Sequence, residues 1–334
     1  MDVIVVGAGV VGLAAGFELS RAGHHVTVLS ADVPGSRQSA GLSRIFRLAH
    51  ADGLLADAAA RSLAFWEEWE SLAGGVLLDR AGLLLTGDMS AREPHLRRYG
   101  GLEELSGAAH PLGVAHDRWS FERTGAAIRA EATVRFLQAG LDVMLADVAT
   151  VDTSGVTLGD GRRMDAERVV VCAGPDTYRL MGLTAPERPR SVRFSFALRE
   201  QLESPAPCWI QRDERLCEAF YAVMDGPEHY SVGLSEAASV DVPEAVQVRD
   251  AHRRIVDIVT RVLPGLLPVA ERVIACEYPT NPHGNHAAFA HDGWDVQEHH
   301  GVLGVTGPSL FKFAPLLGRL VTERLSSRAT LTPT

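Results

Sequence analysis

The chain has 334 residues, 46% of them apolar and 22% charged, which suits about two globular domains and excludes collagenous, low-complexity and disordered readings. Asp plus Glu number 42 against 32 Lys plus Arg, and the net charge of −10 leaves no basic footprint for nucleic acid. No apolar run reaches the ~18 residues of a bilayer span and Met1 to Gly16 lacks a signal peptide's basic region, so a cytoplasmic protein with no membrane contact is expected.

Val3 to Val6 is a short β-branched run, the mark of a buried parallel strand. It leads into Gly7-Ala8-Gly9-Val10-Val11-Gly12, a G-x-G-x-x-G that opens a helical pattern through Arg21. Gly23 ends that pattern, and His25 to Leu29 reads as the next strand. In this βαβ context Gly7 makes the tight turn, Gly9 admits a pyrophosphate and Gly12 lets helix pack on strand, so a bound dinucleotide is expected. The acid that usually holds the ribose stands at the end of the second strand. Ser30 occupies that position here, and Asp32 either substitutes or is a turn residue.

Further along, Ala127 to Ala139 reads as a helix, Leu141 to Val148 as a strand and Val151 to Met164 as a hairpin turning at Gly159-Asp160-Gly161. Arg168 to Ala173 is another buried strand, ending at Gly174-Pro175. Val148 and Gly174 are read as facing the nucleotide. Gly301 to Val305 is a late strand before Thr306-Gly307, and a helix follows from Pro315 to Leu325, with Pro in its first turn. Ser326 to Thr334 looks loose. Between these pieces lie a strand at Gly82 to Thr86 with polar helix, strand-like runs at Val192 to Leu198, Leu216 to Met224 and Tyr230 to Leu234, and an amphipathic helix at Ala245 to Val262. The expected fold is α/β (α+β overall), a Rossmann-like nucleotide domain with an inserted, mostly antiparallel substrate domain. The nucleotide domain takes residues 1–75, 125–187 and 273–328, and the substrate domain takes 76–124 and 188–272.

Three further segments carry chemistry: Ser43-Arg44-Ile45-Phe46-Arg47, Arg272 to Tyr278 around Cys276, and Gly307-Pro308-Ser309-Leu310-Phe311-Lys312-Phe313-Ala314-Pro315. With the N-terminal fingerprint, and in this order, they resemble the D-amino-acid-oxidase superfamily of flavoproteins, nearest the monomeric sarcosine oxidase and N-methyltryptophan oxidase group. The resemblance implies FAD as cofactor, Arg44 (after Ser43) near the isoalloxazine ring, Arg47 gripping a substrate carboxylate, and Lys312 joining it there. It implies that Gly307 and Phe311 line the flavin, and that Cys276 carries the flavin as a thioether. From the residues alone Arg47 is equally a surface arginine on a helix, and Cys276 a small buried hydrophobe at a strand end. The i, i+3 spacing of Arg44 and Arg47 puts both on one helical turn. Lys312 is the only lysine among the 32 basic side chains, although an arginine-rich composition favours replacing lysines.

The chain departs from that group in three ways. It is shorter around Gly125 to Gly140. The strand lysine that serves O₂ in the sarcosine group falls at Ser231, a following histidine falls at Ser235, and His229 is out of register, so fast reaction with O₂ is not expected. The loop before Lys312 is about two residues shorter by the same alignment, which implies a reshaped pocket. Tyr221, Tyr230 and His229 are read as ordinary packing.

Rival readings are weaker. Cys172, Cys208, Cys217 and Cys276 have no disulfide or zinc spacing, as expected in a reducing compartment. His283, His286, His291, His299 and His300 fall in a Pro-, Gly- and Asn-rich stretch without a fixed helix, so no metal is expected. No Gly-x-Ser-x-Gly elbow supports hydrolysis. The reading is an FAD-dependent amine or amino-acid oxidoreductase that oxidises a small carboxylate-bearing amine to an imine, as a monomer or small homo-oligomer. The alternatives are a tailoring oxidoreductase on a larger biosynthetic intermediate and a degenerate, non-catalytic flavin-binding partner. An NAD-linked dehydrogenase leaves the Cys276 and Phe311-Lys312-Phe313 segments unexplained.

Overall fold

The structure is a computed structural model that describes residues 1–107, 110–236, 241–280 and 292–329. Its first layer is a six-stranded sheet in the order β19 (Asp295–His299), β20 (Val302–Thr306), β13 (Arg168–Val171), β1 (Asp2–Val6), β2 (His25–Ser30) and β9 (Asp142–Leu145). All neighbours run parallel except β19, which closes the edge as an antiparallel hairpin with β20. Val3, Ile4, Val5 and Val6 are all buried, as a strand covered on both faces requires. Helix α1 (Val10–Arg21) packs on the C-terminal helix α7 (Ala314–Ala329), and α7 also packs on α2 (Gly53–Ala73).

The second layer is an eight-stranded sheet in the order β18 (Leu266–Glu277), β14 (Arg190–Leu198), β17 (His229–Leu234), β16 (Phe220–Met224), β15 (Cys208–Gln211), β5 (Leu83–Thr86), β7 (Arg118–Glu122) and β6 (Leu102–Ser106). It is antiparallel except where β15 runs parallel to β5. Helix α6 (Glu244–Val262) covers one face, burying Ala251, Ile255, Ile258, Val259 and Val262 at helical spacing. Each large aliphatic residue in that stripe contributes about 1.5–3 kcal/mol by leaving water. Two three-stranded sheets complete the fold: the meander β10 (Val148–Asp152), β11 (Gly155–Leu158) and β12 (Arg163–Asp165), and the set β3 (Ser43–Phe46), β8 (Ala126–Arg129) and β4 (Leu78–Asp79). Among the described residues no helix is long and apolar enough to cross a membrane.

Several expectations need correction. Ser43 to Phe46 is a strand paired with β8, so Arg44 and Arg47 do not share a helical turn. Backbone pairing with Ala126 to Arg129 decides the conformation, which four residues cannot do by periodicity. The expected helix at 127–139 begins as β8 and becomes helical only at α4 (Ala130–Gln138). The strand expected at 141–148 is two strands that part at Ala146, whose N–H donates to Ser30 O at 2.8 Å. The hairpin does turn at 159–161, but an earlier turn makes it the second half of the meander. The Glu-rich stretch Leu102–Ser106 is an edge strand, because pairing with β7 outweighs its helical propensity. The C-terminal helix continues to Ala329, through the stretch expected to be loose.

Candidate active site

A continuous cavity of about 1550 Å³ runs from the C-terminal ends of β1 and β2 to the eight-stranded sheet, where residues of β14 and β18 line it. At its nucleotide end, Gly7 follows β1 with φ +107°, a region that L side chains avoid, and a Cβ there would lie 2.4 Å from the Cys172 carbonyl oxygen. A Cβ on Gly12 would lie 1.8 Å from Gly7 O, so only glycine lets α1 sit this close to the turn. Gly9 precedes α1 in extended conformation, and Ser39 Oγ accepts from Val10 N at 2.9 Å. Ser30 Oγ donates to Asp32 O at 2.6 Å, while the Asp32 carboxylate accepts from Arg37 Nε at 2.5 Å. Gly7, Gly9, Ser30, Asp32, Val148 and Gly174 all line the wall here. Gly12 lies behind it, against Gly7 and Cys172.

The middle of the cavity is built by β3, β14 and β18. Arg44 Nη1 donates to Ser43 O at 2.7 Å, and its Nη2 to Gln38 O at 2.7 Å and Ala40 O at 2.6 Å. Arg193, on β14, donates to the same Ser43 and Ala40 carbonyls at 3.1 and 3.4 Å. Burial, then the Arg193 charge, pushes the Arg44 guanidinium down to about 9. Two cations on shared carbonyls and no ion-paired carboxylate among the described residues make this stretch receptive to an electron-rich group. Arg44 also stands 5.7 Å over the Phe311 ring. Cys276 is half-buried on β18, lines the cavity, and has its Sγ 3.9 Å from Arg37 O. Ser43 is turned away, with its Oγ donating to Asp225 at 3.0 Å.

The far end carries the remaining expected residues, arranged around an unexpected one. Arg47 Nη2 and Lys312 Nζ donate to the Asp292 carboxylate at 2.6 and 2.5 Å, and His50 Nδ1 lies 2.8 Å from it. Burial alone would raise the Asp292 carboxyl, but Lys312, Arg47 and His50 hold it well below the usual carboxylate range. Burial lowers His50 to about 4, against the pull of Asp292, so its ring is neutral at pH 7, with Nδ1–H on Asp292 and Nε2 without a partner among the described residues. Burial also lowers the Lys312 ammonium, with Asp292 opposing. Lys312 Nζ further donates to Ser309 O at 3.1 Å, and the Lys312 carbonyl accepts from Ser62 Oγ at 2.7 Å and Trp66 Nε1 at 3.0 Å. The backbone after Arg47 is fixed by buried Glu122, which accepts from Leu48 N at 2.5 Å and Ala49 N at 3.0 Å. Gly307 lines the wall beside this cluster, with φ +152°.

The sequence profile of the DAO family, described as FAD dependent oxidoreductase, matches residues 2–324. The chain belongs to this family. It is 24% identical over 369 aligned residues to the N-methyl-L-tryptophan oxidase of Salmonella arizonae, covering 96% of this chain and 94% of that protein. Its fold matches the open form of NikD, an unusual amino acid oxidase essential for nikkomycin biosynthesis, with TM-score 0.81 and 22% identity over 99% of this chain and 95% of that one. The L-proline dehydrogenase of P. horikoshii matches with TM-score 0.78 and 17% identity, over 98% and 93%.

The family's cofactor fits the residues present. The Gly7 turn, the start of α1 and the Arg44–Arg193 pair line one continuous space, and FAD is a dinucleotide whose ring gains negative charge when reduced. Other expected residues stand apart. Tyr230 is fully buried and donates to Pro207 O at 2.6 Å, and His229 pairs with Glu271 at 2.8 Å. Ser231 is buried, has no partner for its Oγ among the described residues and does not line the cavity, whereas Tyr221 and Ser235 do. His283, His286 and His291 lie outside the described residues, among which no His, Cys, Asp and Glu group is arranged to hold a metal ion. Asp292, His50, Glu122 and Arg193 were not legible in advance. The only hint was the sole lysine, whose buried charge demanded an acidic partner somewhere.

Proposed function

We propose that this FAD-dependent oxidoreductase oxidises the C–N bond of a carboxylate-bearing amine to an imine. The substrate is an amino acid or an N-substituted or cyclic imino acid. The observation that carries this reading is the convergence of Arg47 and Lys312 on one carboxylate, at 2.6 and 2.5 Å, in the cavity that also holds the nucleotide fingerprint. Two cations facing one carboxylate leave a positive charge over, and a substrate carboxylate neutralises it.

When bound, FAD would supply a two-electron acceptor for the hydride that leaves the carbon next to nitrogen. The chain's own residues do the rest. Arg47 and Lys312 hold the carboxylate and so fix which C–H faces the ring. The amine enters neutral, because its lone pair must form the new C=N bond as the hydride leaves. Arg44, Lys312 and the N-terminus of α7 supply positive charge that favours the reduced ring. In this reading the part built on the six-stranded sheet binds the nucleotide and the part built on the eight-stranded sheet forms the substrate wall.

Cys276 carries the flavin as a thioether in this proposal. Such a bond would replace the Cys276 S–H bond and one C–H bond of the flavin, with release of two protons and with an electron pair passing to the same acceptor that reoxidises the flavin. Acid precipitation tests the attachment. Yellow colour in the pellet, and a mass increase equal to FAD that disappears in Cys276→Ala, support it. Colour released to the supernatant rejects it. Turnover of an amine panel with O₂ and with artificial acceptors tests the reaction itself.

A further inference from the structure

Two arginines of the cavity, Arg92 and Arg212, have neither a task in the proposed reaction nor an ion-paired carboxylate among the described residues. β5 and β15 run parallel and end side by side, Thr86 beside Gln211. The chain leaving each strand presents an arginine to the cavity: Arg212 directly after β15, and Arg92 just before helix α3 (Glu93–Arg98). The platform beneath them is braced. Gln211 Oε1 accepts from Thr86 Oγ1 at 2.8 Å and Asp213 N at 2.6 Å, and Arg212 N donates to Thr86 O at 3.1 Å.

The two guanidinium groups are poorly provided for. Among the described residues Arg92 Nη1 reaches only the Asp88 carbonyl, at 3.4 Å, and its Nε is buried without a partner. Among the described residues the Arg212 side chain makes no hydrogen bond or ion pair. The chain has acids in excess, 42 against 32 basic residues, and arginines elsewhere find them: Arg129 with Asp79, Arg163 with Asp152, Arg254 with Glu218. Four carboxylates along the cavity wall are engaged by other groups. Asp52 caps α2, Glu236 pairs with Arg254, Glu277 with Arg190, and Asp292 with Arg47 and Lys312.

The far end of the cavity therefore holds four cations, Arg47, Lys312, Arg92 and Arg212, of which only the first two are paired with a carboxylate, that of Asp292, among the described residues. One substrate carboxylate leaves two positive charges in a confined space. Arg92 and Arg212 each feel the Arg47 charge, and Arg92 feels Arg212, so the surplus is shared across one region.

We propose that Arg92 and Arg212 bind a second acidic group of the substrate, distal to the amine, and that this group is a carboxylate. The substrate is then a dicarboxylated amine, an acidic or N-carboxyalkyl amino acid. This rests on the reading above, in which the first carboxylate meets Arg47 and Lys312.

The test titrates the flavin-loaded protein with butyrate, glutarate and 3-phosphonopropionate, reading the flavin absorbance change and, independently, heat of binding. Glutarate binds at least about tenfold more tightly than butyrate. The ratio falls toward one in Arg212→Met and in Arg92→Met, and Arg212→Lys retains most of it. Glutarate no tighter than butyrate in the unaltered protein, with butyrate binding still dependent on Arg47, overturns the second site alone. No binding of either acid overturns the proposed function with it. A phosphonate that outbinds glutarate about tenfold replaces the distal carboxylate with a phosphate.

Discussion

Arg47 and Lys312 reach opposite oxygens of the same carboxylate, that of Asp292, across a separation of 245 residues from Arg47 and 20 from Lys312. An internal acid thus holds both cations ready and sets how much positive charge is left for a ligand. Asp292→Asn raises the net charge of the cluster by one unit. Butyrate then binds more tightly, by about tenfold, while the fold loses stability because a buried ion pair has lost one partner. Titration of the flavin-loaded variant and a denaturant melt measure the two effects. Weaker binding in Asp292→Asn means that Asp292 shapes the carboxylate site rather than competing for it.

Removing either cation acts in the opposite direction. Lys312→Met and Arg47→Ala each weaken butyrate binding by ~1.5–3 kcal/mol, the usual worth of a charged hydrogen bond. Unchanged binding in both variants removes them from the site.

Glu122 acts on Arg47 through the backbone. Its carboxylate accepts from Leu48 N and Ala49 N, and burial raises its carboxyl pKa above the ordinary value, against these hydrogen bonds. Glu122→Ala leaves two buried N–H groups without an acceptor, a cost of about 1–3 kcal/mol each. Glu122→Gln keeps an acceptor and costs less. In Glu122→Gln the KM for a carboxylate-bearing amine rises more than kcat falls, because the change displaces a binding residue.

His50 and His110 are both lowered to about 4 from an ordinary value of 6.5, in each case first by burial. The unfolded chain binds protons at these sites between those two values and the folded chain does not. Stability that is full above pH 6.5 is therefore lost as pH falls toward 4, by roughly 3 kcal/mol per histidine. His50→Gln and His110→Gln each reduce the slope of unfolding free energy against pH in that window. An unchanged slope in both variants places the acid sensitivity elsewhere.

The nucleotide end was legible because its logic is local. Gly7, Gly9 and Gly12 sit within six residues, and the strand before them and the helix after them have different periods. The eight-stranded sheet was legible only where strands alternate clearly, as at His229–Leu234 and Arg190–Leu198. The cluster around Asp292 was half legible. Arg47 and Lys312 stood in recognisable segments, whereas Asp292 lies beside a Pro-, Gly- and His-rich stretch with no period and meets its partners only in three dimensions. Arg44 and Arg47 misled because an i, i+3 spacing fits a helix and a strand end equally well. Arg193 gave no signal, since an arginine inside an apolar strand becomes informative only when its neighbours prove to be carbonyls rather than acids.

The most direct test mixes the flavin-loaded protein, without oxygen, with amino acids and N-methyl amino acids and with the same amines lacking the carboxylate. The account predicts that the visible flavin absorbance bleaches with at least one carboxylated amine and not with its decarboxylated counterpart, and that Arg47→Ala abolishes the difference. Equal bleaching by both members of every pair, or bleaching unaffected by Arg47→Ala, contradicts it.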